Sequence, residues 1–251
     1  MTQPPFSEHF RGKSVADHLK EARSKGAIAS AEIHGTEMSG SAAALADSSK
    51  EMAIALAFLW VILSPLFLLK ESFVILIFAA SGWVLWKTAR SALLGWSRVE
   101  RVHRLIEEER WEIQHHRAQE RSELTEMYRA KGLDGKLLEE VIDVLMADDN
   151  RLLQIMLEEE LGLTLEVYEH PLKQAAGAFF GAAATGALCL IGLWFFGSYG
   201  LFLAAAAILA ASSILSAKLE RNRPLNQVVW NLATGSMIGG SIYFLIQLYP
   251  L

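Results

Sequence analysis

Residues 174–217 read QAAGAFFGAAATGALCLIGLWFFGSYGLFLAAAAILAASSILSA, a run without a single Asp, Glu, Lys or Arg. A helix needs about 20 apolar residues to cross a bilayer, so this block is long enough for two crossings. Gly197-Ser198-Tyr199-Gly200 is the one cluster of turn formers inside it. The run therefore predicts a span over about 174–196, a turn, and a second span over 200–217.

Three more apolar stretches lie outside it. Met52–Leu69 carries no charge, with Ser64-Pro65 late in it. A second stretch is uncharged from Ser72 to Trp86 and continues past Lys87 and Arg90 to Trp96. Residues 224–251 are also charge-free and predict a span over about Gln227–Leu248. Lys87 must then either snorkel to the interface or face the protein interior. The expectation is an all-α membrane protein with five transmembrane helices. Gly177/Gly181 and Gly235/Gly239 are small-residue pairs that let helices approach closely, within a subunit or between subunits.

Composition agrees. The 251 residues are 52% hydrophobic and only 20% charged, with a mean hydropathy of +0.26. That excludes a disordered chain. A single cysteine, Cys189, excludes a disulfide scaffold. A net charge of −5 argues against a nucleic-acid partner. The first 50 residues are polar and the apolar blocks are internal, so none reads as a signal peptide. Those features fit a bacterial inner membrane or the membrane of an intracellular organelle.

Orientation follows from Lys and Arg. With five spans, the N-terminal segment, residues 97–170 and the 218–223 loop share one side and hold Arg11, Lys13, Lys20, Arg23, Lys25, Lys50, ten further basic residues, and Lys218, Arg221 and Arg223. Lys70 is the only basic residue opposite. The N-terminus and the 97–170 insert are expected in the cytoplasm and the C-terminus outside. The chain thus divides into a cytoplasmic amphipathic segment at 1–50, spans one and two at 51–96, an insert at 97–170, and spans three to five at 171–251.

Residues 14–50 read as an amphipathic surface helix leading into span one. It is broken around Gly35 and Gly40, with turn or cap chemistry at His34-Gly35-Thr36-Glu37 and Asp47-Ser48-Ser49-Lys50. Asp47 and Glu51 would sit at the mouth of the first span, where they could meet a cation or simply favour the helix dipole.

The insert holds 19 of the 28 acidic residues. No Pro or Gly falls between Trp96 and Gly132, so span two is expected to run on as one helix through Arg98–Arg129. Helices at about Leu137–Ala147 and Asp149–Leu161 complete a three-helix domain, the last ended by Gly162. Glu109, Glu112, Glu120 and Glu123 form two E-x-x-E pairs. On one continuous helix they fall on a stripe roughly 80° wide, with Glu109 and Glu123 about 21 Å apart along the axis. One ion cannot bridge that length, but several ions, or ions shared with another helix, could use the stripe. His116 lies on it and could add a nitrogen. Met156 with Glu158, Glu159 and Glu160 supplies an opposing wall, Met156 and Glu160 sharing a face at i, i+4. Carboxylates suit Fe²⁺ and Mn²⁺, a thioether suits Fe²⁺ or later metals, and Zn²⁺ is a further candidate.

Two other readings stand beside this one. The acids could be a solvated face interleaved with Arg110, Arg117 and Arg121. Glu112-x-x-His115 invites a di-iron site, although that architecture wants two such motifs and the insert has one. His103, His115 and His170 read as interfacial or surface residues.

The layout resembles the vacuolar iron transporter family. The specific stretches are Glu109-x-x-Glu112 with Glu120-x-x-Glu123, then Tyr128-x-x-x-Gly132-Leu133, Met156-x-x-Glu159-Glu160-Leu161-Gly162-Leu163 and Pro171-Leu172-Lys173-x-Ala175. They cover about residues 97–180 well. The resemblance implies metal ligands at Glu109, Glu112, Glu120, Glu123, Met156 and Glu160. Leu157 stands where the family has a second methionine. It also implies a transporter rather than an enzyme, moving Fe²⁺ or Mn²⁺ out of the cytoplasm in exchange for protons, as a two-fold homodimer. The membrane half departs from the pattern. The Asn-Asp-Gly of the first span is missing, Asp47 being the nearest acid, and Lys87 and Ser91 occupy the positions of a methionine and a glutamate in span two. That departure motivates an alternative, a membrane-anchored metal-binding or sensing protein that does not transport. A di-iron oxidase is a third reading.

Overall fold

Helix accounts for the regular structure throughout residues 14–30, 40–163 and 169–248, which the computed structural model describes. The helices are α1 (Val15–Ser30), α2 (Ser41–Leu63), α3 (Leu69–His115), α4 (Arg117–Ala130), α5 (Gly135–Met146), α6 (Asp149–Ile155), α7 (Pro171–Leu219) and α8 (Pro224–Leu248). The chain separates into two units, one formed by residues 1–35 with 96–167, the other by 36–95 with 168–251. The expected turn at His34–Glu37 lies outside the described residues.

Among the described residues, three helices are long and apolar enough to cross a membrane, namely α3, α7 and α8. α7 is interrupted at Gly197, whose φ of 61° and ψ of −150° are not helical. There the chain doubles back. A side chain on Gly192 would come within 2.5 Å of the Gly200 carbonyl oxygen, whereas eight residues of straight helix would put the two about 12 Å apart. The break expected at 197–200 is thus observed, and the two arms press together through glycine backbones because no Cβ stands between them.

Where the N-terminal arm of α7 meets α2, a Cβ on Gly177 would fall 2.0 Å from the Ser41 carbonyl oxygen and one on Gly181 2.3 Å from that of Leu45. This first small-residue pair is therefore used within the chain. The second is looser, since a Cβ on Gly239 would stand 3.5 Å from the Phe58 ring. Met52, Leu56, Trp60, Leu76, Cys189, Leu193 and Leu201 form the shared apolar core. The first unmet N–H of α2 is served by Glu169, whose carboxylate accepts from the Ser41 backbone N–H and hydroxyl, as an acid at a positive helix end should. Pro171 opens α7 behind a His170 cap, the Leu172 N–H donating to His170 Nδ1 at 3.2 Å.

Boundaries of α2 differ from expectation. The helix ends at Leu63 rather than Leu69, because Ser64-Pro65 starts a turn. It begins at Ser41, so Asp47-Ser48-Ser49-Lys50 lies inside a helix and is not a turn. Ser48 and Ser49 donate back to the Leu45 carbonyl, which satisfies their hydroxyls without breaking the helix.

The first unit departs more. α3 does not run on to Arg129. It stops at His115, and His116 (φ −125°, ψ 32°) is not helical. No Pro or Gly causes this. Arg117 donates to Asp149 Oδ1 at 2.6 Å and to the Met146 carbonyl, and Arg121 pairs with Asp143 at 2.6 Å. These ties hold α4 against α5 and the start of α6. Leu124 and Met127 are buried with Ile113, Leu138, Ile142, Leu152 and Met156. α1 packs into the same unit, Leu19 in this cluster and Ala22 in a neighbouring one with Leu105 and Leu157.

Candidate metal centre

The break at His116 decides where the acids go. On a continuous helix Glu112 and Glu120 would stand about 12 Å apart along the axis. Instead, Glu109, Glu112 and Glu120 bring one carboxylate oxygen each within 4.8 Å of one another. The straight helix assumed for this stripe is corrected, and Glu109 and Glu123 fall in different groups. A second group, His18, Glu123 and Glu160, converges to the same limit.

Glu160 is placed by a change in helix type. After Ile155 the chain takes one π-helical turn, Met156–Glu160, closed by the Leu161 N–H on the Met156 carbonyl at 3.1 Å. One extra residue in the turn rotates the side chains beyond it, and such turns recur at functional sites. Here Glu160 is turned inward while Glu158 stays exposed. Gly162, at φ +64°, ends the turn, as its place in the sequence predicts.

Glu109, Glu120, Glu123 and Glu160 are each no more than 3% exposed. The solvated-face reading does not hold for them. Such burial disfavours charge unless something compensates. Burial, and then the carboxylates of Glu160, Glu120, Glu112 and Glu123, hold the Glu109 carboxyl well above its ordinary value. Burial pushes Glu160 up to about 7, against a hydrogen bond from His18 that lowers it, while Glu123 raises it. Among the described residues, Glu109 Oε1 is buried with no hydrogen-bond partner. A cavity of about 20 Å³ lies among His18, Glu109, Glu112, Glu160 and Leu161, room for one water-sized occupant. Glu109 and Glu160, whose carboxyls are raised, line this small cavity and can exchange protons for a divalent cation.

The remaining expected residues are placed elsewhere. Met156 is fully buried in the apolar cluster of the unit. Glu159 is half-buried and ion-paired to Lys131. His116 sits at the start of α4 with its ring edge-on to Trp111 at 5.3 Å. Asp47 lies on α2 beside Lys50, 3.3 Å away. His115 stacks on Trp111 with centroids 4.4 Å apart and its Nδ1 2.8 Å from the Trp111 carbonyl. His18 is a residue that sequence reasoning misses, because nothing in the sequence of α1 says which face it buries or against which neighbour.

In the other unit, Lys87 is 4% exposed and its Nζ donates to Glu51 Oε1 at 2.9 Å. Of the two arrangements open to it, Lys87 takes the interior one. Ser91 is buried as well, its hydroxyl without a hydrogen-bond partner among the described residues.

A family model described as the VIT family matches residues 95–247. No curated protein matches the chain.

Proposed function

The chain belongs to the VIT family, the vacuolar iron transporters, and from that premise we propose that it exports Fe²⁺ or Mn²⁺ from the cytoplasm through five membrane spans in exchange for protons. Family membership assigns membrane transport of metal ions in general, and the long apolar helices fit an integral membrane protein. The observation that carries the finer reading is the two groups of converging carboxylates, with Glu109, Glu112 and Glu160 lining a small cavity. In this reading the five spans are α2, the apolar part of α3, the two arms of α7, and α8. The first unit is cytoplasmic, the C-terminus is outside, and two chains pair as a homodimer. Glu109, Glu112, Glu120, Glu123 and Glu160 hold the captured ions, with the Met156 thioether as a softer neighbour. Oxygen-rich coordination suits Fe²⁺ and Mn²⁺, with Zn²⁺ as a competitor. Each ion that binds releases protons from groups such as Glu109 and Glu160, so capture is itself proton-linked.

The test is flux in proteoliposomes. Wild type should move Fe²⁺ or Mn²⁺ above the level of empty liposomes, and Glu112→Ala/Glu123→Ala should fall to that level. Intact binding with no flux would favour a second reading, a membrane-anchored metal-binding or sensing protein. The observation behind that alternative is Lys87, a cation buried in the membrane unit where an ion path would repel it.

A further inference from the structure

We propose that α1 supplies a nitrogen ligand to this acid centre through His18, so that the ion held between Glu123 and Glu160 has mixed oxygen and nitrogen coordination. The proposal rests on the reading of the carboxylate cluster as a metal site.

The geometry begins with the α1 N-terminus. Ser14 Oγ accepts from the Asp17 backbone N–H at 3.2 Å and donates to the Asp17 carboxylate at 2.7 Å, a cap that starts the helix one turn before His18. Leu19 and Ala22, both buried, fix which face of α1 packs inward. His18 is carried on that face. Its Nε2 lies 3.4 Å from Glu160 Oε1 and 3.7 Å from Glu123 Oε1. Nitrogen and oxygen ligands about 2.1 Å from a shared tetrahedral ion lie about 3.4 Å apart, so Nε2 already stands near ligand spacing from each oxygen. His18 also lines the 20 Å³ cavity, together with Glu109, Glu112 and Glu160. Glu109 Oε1, buried and without a hydrogen-bond partner among the described residues, borders the same space. An imidazole placed among carboxylates shifts preference toward Fe²⁺ and Zn²⁺ relative to Mn²⁺. α1 thus becomes part of the site and biases which ion is retained.

The test uses the full chain in detergent or nanodiscs with Mn²⁺ as a spin probe and Zn²⁺ as a competitor. Electron spin echo of bound Mn²⁺ should carry nitrogen modulation in wild type, and that modulation should vanish in His18→Ala. His18→Gln, of similar size, should lose it too while keeping α1 in place. Zn²⁺ affinity should fall by ~10-fold or more in both variants, with Mn²⁺ affinity changing less. Modulation that persists in both variants, or is absent from wild type with Mn²⁺ bound, overturns the assignment of His18 and leaves the acid site standing. Glu109→Gln/Glu112→Gln binding metal as wild type does would instead overturn the site reading beneath it.

Discussion

Lys87 and Glu51 form an asymmetric pair. The lysine side chain is 5% exposed and the glutamate side chain 39%. Removing one partner leaves the other with its charge, and the cost depends on how far the remaining group is from water. Glu51→Gln leaves an ammonium in the interior. Lys87→Met leaves a carboxylate that reaches solvent, and the Met chain refills the space. Glu51→Gln should therefore lower stability by about 1–3 kcal/mol, and Lys87→Met by about 1 kcal/mol or less. Thermal unfolding in detergent checks the order. If Lys87→Met is the more damaging change, the pair is not stabilised in the way described.

At the scale of elements, the glycines of α3 and α7 divide into those that permit a contact and those that merely occupy a helix. Gly177 faces the Ser41 carbonyl at a distance no Cβ can occupy, while Gly82 on α3 has open space around it. Gly177→Ala should destabilise by about 1–3 kcal/mol by forcing α7 from α2. Gly82→Ala should be neutral or stabilising by up to about 1 kcal/mol, since it only restricts the unfolded chain. Equal melting temperatures for the two variants would contradict the packing of α2 on α7. The α3–α4 break shows the opposite situation. No residue near His116 forbids helix, and the pattern of Glu109 to Glu123 favours one straight stripe. The break instead goes with the burial of Leu124 and Met127 against Leu138, Ile142 and Leu152, while Arg117 and Arg121 reach Asp149, Met146 and Asp143, partners 22 to 32 positions along the chain.

For the whole molecule, the raised carboxyls link metal, protons and stability. Glu160 goes from an ordinary value of 4.5 to about 7 on folding, and Glu109 is raised as well. A group whose folded value is raised stabilises the fold below its unfolded value, and that contribution is lost as pH rises through the folded value. The metal-free protein should therefore lose stability between about pH 4.5 and 7, by about 3 kcal/mol at most from Glu160 alone. Melting temperatures measured from pH 5 to 8 should fall without metal, fall less in Glu160→Gln, and recover at pH 8 when Mn²⁺ is added. Metal affinity should weaken on acidification, because protons compete for the same oxygens. A metal-free stability that rises across this window would contradict the burial of these groups as ionisable acids.

Much of the architecture was legible in the chain itself. The uncharged runs, the break at Gly197, the stop at Gly162 and the start at Pro171 are local chemistry: apolar length, glycine at positive φ, and proline's fixed φ. The E-x-x-E pairs and Glu160 were legible as a set of acids, since spacing alone puts each pair on one helix face. Which of them meet was decided by tertiary structure. The turn at His116, the π-helical turn that brings Glu160 inward, and the docking of His18 all arise from side chains distant in sequence packing together. A helical period carries no information about such contacts. Lys87 belongs to both levels. Its sequence position required either the interface or the interior, and the tertiary structure selected the interior, where the carboxylate of Glu51 stands 2.9 Å away.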